Sequence, residues 1–538
     1  MIEDKDSKYG GLRFEFVKRM MKEGLNITAS SKMMCKEFGY EYDDSVRGCV
    51  SRLLKKDRGE HLEKDELEEK ETDVILNAAK AKSLDKKRDT FIITWAQNST
   101  PIHKGFFKNI QAYGEHLNAG IHVIAGRYKN PTSIWSSMQE KDEGWVKEVI
   151  PYLDANRHKV HKNLEVLSDV KIPPTASTPL SGLNGLTGLE SCIVGHPRQH
   201  LKPLAVLKGY PHKLLLSTGS CTIPNYTDSK SGKKGEFHHT FGFIIVELDG
   251  DNFHVRQVSA DTEGNFYDLY HRVKDGVVFG NTEGCEAAIL GDIHIQHNNK
   301  IATDLSFKML DFMKPKHTMI HDIIDCESIS HWDSIDPFRM MQKEEEGTDN
   351  LKRELEGMVD WIGERLKYNL VIVRSNHDDF LDRWLKFTDW RKCNNKKLYL
   401  MGANLLANDP IAQTKGVIPC LIDNAYGDYV TTLGIDDSFP VLGWELGMHG
   451  HLGASGSRGS HGQFKNLNVK NVTGHVHHPY REDGHASVGT LTDLSVHYTK
   501  GLSNWMHSNG LIYPDGKFQH IHIVNGKYCR DMIDMSGV

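Results

Sequence analysis

Five short apolar runs between residues 287 and 477 each end in side chains that can bind a metal ion. The runs with their endings are AAILGDIHIQ, HTMIHDIID, NLVIVRSNHDD, WELGMHGHLGA and NVTGHVHHP. An apolar run bounded by polar residues is typical of a buried β-strand, and alternate residues of an extended chain share one face. Because the carboxyl ends of strands in an α/β fold converge on one crevice, we expect the five endings to meet at one polar site.

Each ending taken alone has a commoner explanation. A strand-end aspartate is more often a helix cap, and a lone histidine is more often an ordinary surface or core residue. All five endings in this order favour a metal centre, because every one of them holds oxygen or imidazole donors. The donors on offer are Asp292, His294, Asp322, Asn376, His377, His449, His451, His475 and His477.

The order of these motifs resembles the calcineurin-like metallophosphoesterase superfamily, whose signature runs DxH, GDxxD, GNHD, a strand-end histidine and GHxH. The matching segments are DIH, HDIID, SNHD, HGH and GHVH, and the resemblance covers roughly residues 285–525. It implies an α/β fold in which a β-sandwich is flanked by helices. It also implies two ion sites that share Asp322, one completed by Asp292, His294 and His477, and the other by Asn376, His449 and His475.

Two residues depart from that signature. His321 stands where the family has the glycine of GDxxD, and Ser375 replaces the glycine of GNHD. Glycine permits unusual dihedral angles and close backbone approach, so these changes leave the local turn geometry open rather than the ligands. Within HGH the resemblance favours His449 as the ligand and leaves His451 either to contact the substrate phosphate or to pack nearby, and His321 is close enough to the site to touch substrate.

The resemblance assigns the chemistry as well. His377 matches the family's catalytic histidine, which stabilises developing charge or protonates the leaving oxygen, and Asp378 is expected to orient its ring. Two divalent cations about 3.5–4 Å apart lower the pKa of a water and neutralise phosphate oxygens during in-line attack. Mixed nitrogen and oxygen ligands suit Mn²⁺ as the first choice, with Fe or Zn also compatible. We therefore expect a two-metal phosphoesterase.

The chain has 538 residues, enough for several domains. Residues 1–60 are predicted to form a small helical unit similar to a helix-turn-helix, with basic side chains on its third helix. A solvated capping bundle is the alternative interpretation, and the charged segment 61–85 is predicted to be a linker. The basic side chains, which would contact DNA in the first interpretation, are Arg47, Arg52, Lys55 and Lys56.

Residues 86–280 are predicted to form an α/β accessory domain, and residues 285–538 the metallophosphoesterase domain. The runs TFIITWAQ, FFKNIQAYGEHLNAG and IHVIAGRY indicate a βαβ unit, and FGFIIVELDGDNFHVRQVSA indicates a hairpin with a turn at its Asp-Gly pair. The segment DSKSGKKGEFHH, residues 228–239, is expected to be a loop. Such a loop either holds a phosphate backbone or is a mobile surface loop.

Composition excludes several classes of protein. Nine cysteines without a CxxC pair argue against a disulfide framework and against a thiolate zinc site. A formal charge of −6 means that nucleic-acid binding would rest on local patches or on metal ions. No run approaches the roughly 20 apolar residues of a membrane span, and the charged amino terminus carries no secretory signal, so we expect a cytoplasmic protein without a membrane partner.

The accessory parts favour a polymeric substrate over a small phosphate ester. The whole chain, including its ending GTLTDLSVHYTKGLSNWMHSNGLIYPDGKFQHIHIV, also resembles the phage metallophosphoesterases that degrade host DNA early in infection by T5-type phages. That resemblance implies a Mn-dependent DNase that acts on DNA in the cytoplasm of an infected bacterium.

Other functions remain open. A phosphoprotein phosphatase or nucleotide phosphodiesterase would use the same ligands, because this type of site does not choose its substrate. A regulator that binds DNA or host proteins through residues 1–280, with the carboxyl-terminal part as a scaffold, is the second alternative. Self-association and binding to host or phage proteins also stay open, since no heptad or apolar stripe supports a particular symmetry.

Overall fold

The structure is a computed structural model, and it divides the chain into two compact units, Met1–Ala78 and Ala79–Val538. The residues that the structure describes are 12–39, 41–42, 46, 50, 54, 74–85, 87–130, 132, 144–281, 283–331, 333–497 and 499–529.

The smaller unit contains helices α1 (Leu12–Lys22) and α2 (Ile27–Glu37), which match the first two predicted helices. Asn26 caps α2, because its side-chain oxygen accepts a hydrogen bond from the backbone nitrogen of Ala29 at 2.9 Å. Arg47, Arg52, Lys55 and Lys56, the predicted DNA contacts, lie outside the described residues. One buried cluster holds the unit together and consists of Val17, Met34, Cys35, Val46, Val50 and Leu54.

The larger unit is a mixed α/β structure, which confirms the predicted α/β class. Its helices α3 to α12 are Lys104–His116, Lys230–Phe237, Lys300–Met313, Pro337–Glu346, Leu351–Gly363, Asp378–Phe387, Lys396–Asn408, Pro410–Lys415, Val417–Tyr426 and His461–Phe464. Its strands β1 to β24 are Thr90–Gln97, Gly120–Gly126, Leu153–Asp154, Arg157–His161, Leu164–Leu167, Ser191–Val194, Leu201–Leu204, Lys213–Ser217, Gly242–Asp249, Asn252–Ser259, Phe266–Asp268, His271–Lys274, Val277–Gly280, Ala287–Ile289, His317–Ile320, Leu370–Val373, Thr431–Leu433, Pro440–Val441, Trp444–Glu445, Lys470–Thr473, Tyr480–Glu482, His485–Ser487, Ser508–Ile512 and Phe518–His522.

A five-stranded sheet has the order β10-β9-β1-β2-β3. Strands β1 and β2 are parallel and α3 connects them, so the predicted βαβ unit is present. Strands β9 and β10 are antiparallel neighbours, as the hairpin prediction requires, and Gly250 adopts a φ of 59° in the turn between them. Both predictions rested on strong local signals, namely apolar periodicity and an Asp-Gly turn.

A ten-stranded sheet runs across the boundary that the sequence placed near residues 280–285. Its order is β18-β19-β20-β22-β21-β7-β8-β6-β5-β4, and the pair Arg481 and Leu201 joins β21 to β7. Residues of the predicted accessory domain and of the predicted metallophosphoesterase domain therefore share one sheet. A pairing between strands so distant in sequence leaves no local pattern that could have revealed it.

A six-stranded sheet, ordered β17-β16-β15-β14-β23-β24, lies between helices and the ten-stranded sheet. Its buried contacts with the ten-stranded sheet include Ile289, Met319, Val371, Val472 and Val488. Its contacts with the helices include Ile320, Ile372, Leu310, Met358, Leu381 and Ile418. The ten-stranded sheet also packs against the five-stranded sheet, through Leu164, Ile193, Leu216, Ile93 and Ile244.

The segment 228–239 is not wholly a loop, because it contains the eight-residue helix α4. Ser229 caps this helix, since its hydroxyl accepts a hydrogen bond from the backbone nitrogen of Gly232 at 3.1 Å. Gly232 serves packing here: a Cβ at this position would lie 1.8 Å from the backbone oxygen of Thr227. The glycines and serines of the segment suggested a loop, whereas they supply a helix cap and a close contact.

No helix in the described part of the chain is long and apolar enough to pass through a bilayer.

A buried ion-pair network links the five-stranded sheet to strand β24. The guanidinium of Arg256 donates from Nε to both carboxylate oxygens of Asp268, at 2.8 and 2.9 Å, and also pairs with Glu247. Asp268 further accepts hydrogen bonds from Tyr113 at 2.7 Å and from Gln519 at 2.8 Å. The three charged side chains are at most 4% exposed, so the Arg256 guanidinium compensates the charge of two buried carboxylates.

We predict that Arg256→Met lowers the free energy of unfolding by about 3–5 kcal/mol, because it leaves two buried carboxylates without their cation. Arg272→Met is the matched control, since Arg272 pairs with Glu283 at 2.7 Å but both side chains are more than a third exposed. That loss should be about 1 kcal/mol or less. Guanidinium denaturation followed by circular dichroism measures both, and equal losses would contradict the network's importance.

Candidate metal centre

The strand order of the two central sheets brings the predicted ligands together. Strands β14, β15 and β16 are parallel neighbours, and the chain reaches Asp292, Asp322 and Asn376 two or three residues after their carboxyl ends. Strands β19 and β20 are also parallel, and they are followed by His449 and His475. Carboxyl ends of parallel strands point to the same edge, so these side chains meet where the two sheets face each other.

One group of donors consists of Asp292, His294, Asp322 and His477. Their ligand atoms all lie within 4.8 Å of one another, and all four residues are buried. His477 Nε2 is 3.1 Å from Asp292 Oδ2 and 3.1 Å from His294 Nε2. His294 Nε2 is in turn 3.4 Å from Asp322 Oδ2.

A second group consists of Asp322, His449 and His475, whose ligand atoms also lie within 4.8 Å of one another. Asn376 belongs to the same group, because its Oδ1 is 3.1 Å from His449 Nε2 and 3.0 Å from His475 Nδ1. His449 Nε2 is 3.1 Å from Asp322 Oδ2. Asp322 is therefore common to both groups, and all seven predicted ligands lie in one cluster.

The cluster has the features of a cation site. Oδ1 of Asp292 and Oδ1 of Asp322 are buried without a hydrogen-bond partner among the described residues. Nε2 of His294 and Nε2 of His477 lie 3.1 Å apart, so both imidazoles can direct a lone pair at one cation when those nitrogens carry no proton. Buried carboxylates without partners are costly, and a divalent cation would use these oxygen and imidazole lone pairs. The residues thus fit bound metal ions.

The electrostatics of the cluster point the same way. Burial acts to raise the pKa of Asp322, yet that pKa lies well below its usual range because histidines, led by His449, surround the carboxylate. Burial acts to lower the pKa of His294, but Asp325 and Asp322 raise it to about 9. The carboxylates therefore attract positive charge strongly enough to overcome burial.

Four of the predicted ligands adopt left-handed backbone conformations. The φ angles are 45° for His294, 44° for Asp322, 70° for His475 and 58° for His477. Such a conformation costs on the order of 1 kcal/mol or more for a residue with a side chain, and it persists where surrounding structure imposes it. His321 and Ser375, which replace the family's glycines, are not among the positive-φ residues, so neither turn requires glycine.

Comparison with known proteins identifies the family. No family model matches the chain. Protein A1 of Escherichia phage T5 is 30% identical over 471 residues, which span 82% of this chain and 83% of that protein. The chain belongs to the protein A1 family. Among solved structures, Vps29 of Chaetomium thermophilum aligns with 36% of this chain and 99% of its own, at 12% identity and a TM-score of 0.18, which is too low to inform the fold.

In this A1-family chain, His377 lies beside the cluster and reaches solvent. Its ring centroid is 4.8 Å from that of His294, and its side chain is 20% exposed. Its Nδ1 is 3.0 Å from the backbone oxygen of Asp325, so Nδ1 carries the proton of that hydrogen bond. Nε2 is then the nitrogen available for chemistry.

Asp378 does not hold the His377 ring as expected. Its Oδ2 instead accepts a hydrogen bond from the backbone nitrogen of Ser375 at 2.8 Å, and burial raises its pKa to about 7. The structure gives the ring-holding contact to the backbone of Asp325. Asp378 shapes the turn before α8, where a carboxylate close to the first backbone amides is favourable.

Asp325 lies next to the cluster, and the ligand assignment left it out. Its Oδ1 is 2.9 Å from His294 Nδ1, and this contact orients the imidazole so that Nε2 faces the cluster. Its backbone positions His377 in addition. The signal was present in the sequence as the last residue of HDIID.

The two predicted substrate contacts occupy different positions. His321 is fully buried, and its Nδ1 lies 3.4 Å from Nδ1 of His449. It therefore contacts the ring nitrogen of His449 that is not directed at Asp322 and Asn376. His451 Nε2 is 3.6 Å from Asp379 Oδ2, and its ring centroid is 5.4 Å from that of His449. His451 therefore lies at the border of the second group, whereas His321 packs against His449 in the protein interior.

We predict that the protein binds two divalent cations per chain and that Asp322→Asn weakens both sites, because this carboxylate is common to both groups. His449→Ala should weaken only one of them. Metal content after gel filtration and calorimetric titration with Mn²⁺ measure the stoichiometry. Asp428→Asn, which changes an exposed carboxylate, is the control, and two tightly bound ions in Asp322→Asn would refute the shared ligand.

Proposed function

We propose that this protein is a two-metal phosphodiesterase, a Mn-dependent DNase that degrades host DNA in a phage-infected bacterium. The observation that supports this most directly is the position of Asp322 between two groups of ligand-type residues. The motif order that resembles the calcineurin-like metallophosphoesterases and the two sheets packed face to face below the cluster support the same proposal. Two divalent cations in such a cluster supply a nucleophilic water at neutral pH and neutralise phosphate charge.

The side chains around the cluster have distinct tasks in this proposal. Asp325 fixes the ring of His294 through Nδ1, which keeps Nε2 directed at the first group. The backbone oxygen of the same residue accepts a hydrogen bond from Nδ1 of His377. His377 Nε2, at the exposed side of the cluster, is then placed to exchange a proton with the leaving oxygen of a phosphodiester.

A groove beside His377 supports an extended substrate. The ring of Phe380 is 4.8 Å from that of His377 and forms part of a cavity of about 620 Å³, which Trp384, Arg383 and Lys392 also line. Aromatic and basic side chains together are typical of surfaces that stack nucleic-acid bases and contact the backbone. Acidic residues line the groove too, so its shape and rings, rather than its net charge, favour a polymer.

Membership of the protein A1 family of a phage supports action in an infected cell. The rival activities, phosphoprotein phosphatase and nucleotide phosphodiesterase, would use the same cluster, and turnover of a chromogenic ester without DNA cleavage would favour them. A regulator that binds DNA or host proteins would keep its effect in Asp322→Ala.

We predict that the purified protein fragments linear double-stranded DNA when Mn²⁺ is added and leaves it intact in EDTA. Asp322→Ala should abolish the cleavage, whereas Asp428→Ala, which removes an exposed carboxylate, should not. Gel electrophoresis of linear and closed circular DNA measures the outcome, and cleavage of circles would identify an endonuclease. DNA that stays intact with Mn²⁺ would contradict the proposal.

We further predict that His377→Ala retains bound metal but lowers the turnover number about 100-fold or more, because proton transfer by a positioned side chain contributes at least that much. His161→Ala is the matched control, since this histidine belongs to strand β4 at the far edge of the ten-stranded sheet. Initial rates with DNA and metal analysis of the same samples test the prediction. Full turnover in His377→Ala would remove the residue from the mechanism.

A further inference from the structure

A second cavity, of about 450 Å³, lies at the other end of the strands that support the metal centre. Lys470 lines it at the start of β20, and the same strand ends at Thr473, two residues before His475. Four residues of extended chain span roughly 13 Å at about 3.3 Å each. The cavity is therefore separate from the ligand cluster.

Arg481 contributes a guanidinium to this cavity without a carboxylate partner among the described residues. Its Nη2 donates a hydrogen bond to Ser259 Oγ at 3.0 Å, and its Nη1 is buried with no hydrogen-bond partner among those residues. Burial lowers the pKa of Arg481 to about 10. A buried donor without an acceptor lowers the stability of the folded protein, and an anionic or polar ligand bound at Nη1 would remove that cost.

Two lysines add to the positive charge of the cavity. Lys470 and Lys517 both line it, and Lys470 Nζ lies 5.6 Å from the centroid of the Trp444 ring. Burial lowers the pKa of Lys470, and the positive charges of Lys517 and Arg481 lower it further. Three cations thus repel one another here, in a chain whose formal charge is −6.

Asp483 is the one acidic side chain among the described residues of the cavity wall, and it is already compensated. Its carboxylate is 3.2 Å from Arg198 Nη1, 3.1 Å from His200 Nε2 and 3.4 Å from His238 Nδ1. It therefore offers little charge compensation to Arg481, Lys470 and Lys517.

We propose that this cavity binds the phosphate group of a ligand of about mononucleotide size, with Arg481, Lys470 and Lys517 as its contacts. Guanidinium groups bind phosphate through paired hydrogen bonds, and cavities of this volume accommodate small ligands. Phe237, which is 84% exposed and lines the same cavity, offers a ring face on which a base can stack. The segment 228–239, a candidate phosphate contact in the sequence, provides that side chain and His238. The proposal does not depend on the nuclease activity.

The test is calorimetric titration of the full-length protein with 5′-deoxyadenylate, inorganic phosphate and a short single-stranded oligothymidylate. Deoxyadenosine, which lacks the phosphate, is the neutral control ligand. Each titration is run in EDTA and again with Mn²⁺, because binding in this cavity needs no metal ion. Arg481→Gln and Lys517→Gln are the test variants, and Lys208→Gln, an exposed lysine outside the cavity, is the control.

We expect 5′-deoxyadenylate to bind in EDTA, deoxyadenosine to bind far more weakly, and each test variant to lose about tenfold or more in affinity, as for a lost charge-assisted hydrogen bond. Lys517→Gln at the rim keeps the test decisive if circular dichroism shows that Arg481→Gln fails to fold. Binding of the oligothymidylate in addition to 5′-deoxyadenylate, weakened by the same two substitutions, would show that the cavity also accepts backbone phosphate, whereas binding of the oligothymidylate alone would overturn the mononucleotide-sized ligand. Absence of phosphate-dependent binding, or binding that neither test variant weakens, would overturn the proposal.

Discussion

The carboxylates of Asp292 and Asp322 are buried, and a buried negative charge must be compensated by positive charge nearby. The two central sheets of the larger unit bring histidines close to both carboxylates. Parallel strands β14 and β15 bring both to one edge of the six-stranded sheet, while β19 and β20 of the facing sheet deliver histidines to the same place. This convergence has a conformational cost, because four residues adopt left-handed backbone conformations, namely Asp322, His294, His475 and His477. Since Asp292 and Asp322 each retain an oxygen without a partner among the described residues, a cation bound at this cluster would also stabilise the fold.

The grouping of the ligand-type residues could be predicted from the sequence because each follows a short apolar strand, and parallel strands place their carboxyl ends together. Asp292 and Asp322 are the clearest examples. The finer contacts could not be predicted: whether Asp325 or Asp378 holds His377 depends on a turn of a few residues, which periodicity does not describe. The pairing of Arg481 with Leu201, which merges the two predicted domains into one sheet, is likewise set by tertiary structure alone. In the segment 228–239, glycine and serine pointed to a loop, but they cap and pack a helix.

Strand β20 connects two regions of opposite electrostatic character. The metal-ligand cluster, which attracts cations, lies at the carboxyl end of β20. Lys470, at the amino end of β20, and Arg481, on the neighbouring part of the same sheet, line the cavity that attracts anions. In both places, buried polar atoms without a hydrogen-bond partner among the described residues mark the position of the expected ligand. This is physically reasonable, because an unpaired buried charge costs several kcal/mol and is kept where binding compensates for it.

Two cations that share Asp322 are the central expectation for this protein, and anomalous diffraction from crystals grown with Mn²⁺ tests it most directly. Data collected at the manganese absorption edge should show two peaks beside Asp322, one among Asp292, His294 and His477, and the other among Asn376, His449 and His475. A single peak, or peaks away from these residues, would contradict the shared carboxylate and with it the two-metal chemistry.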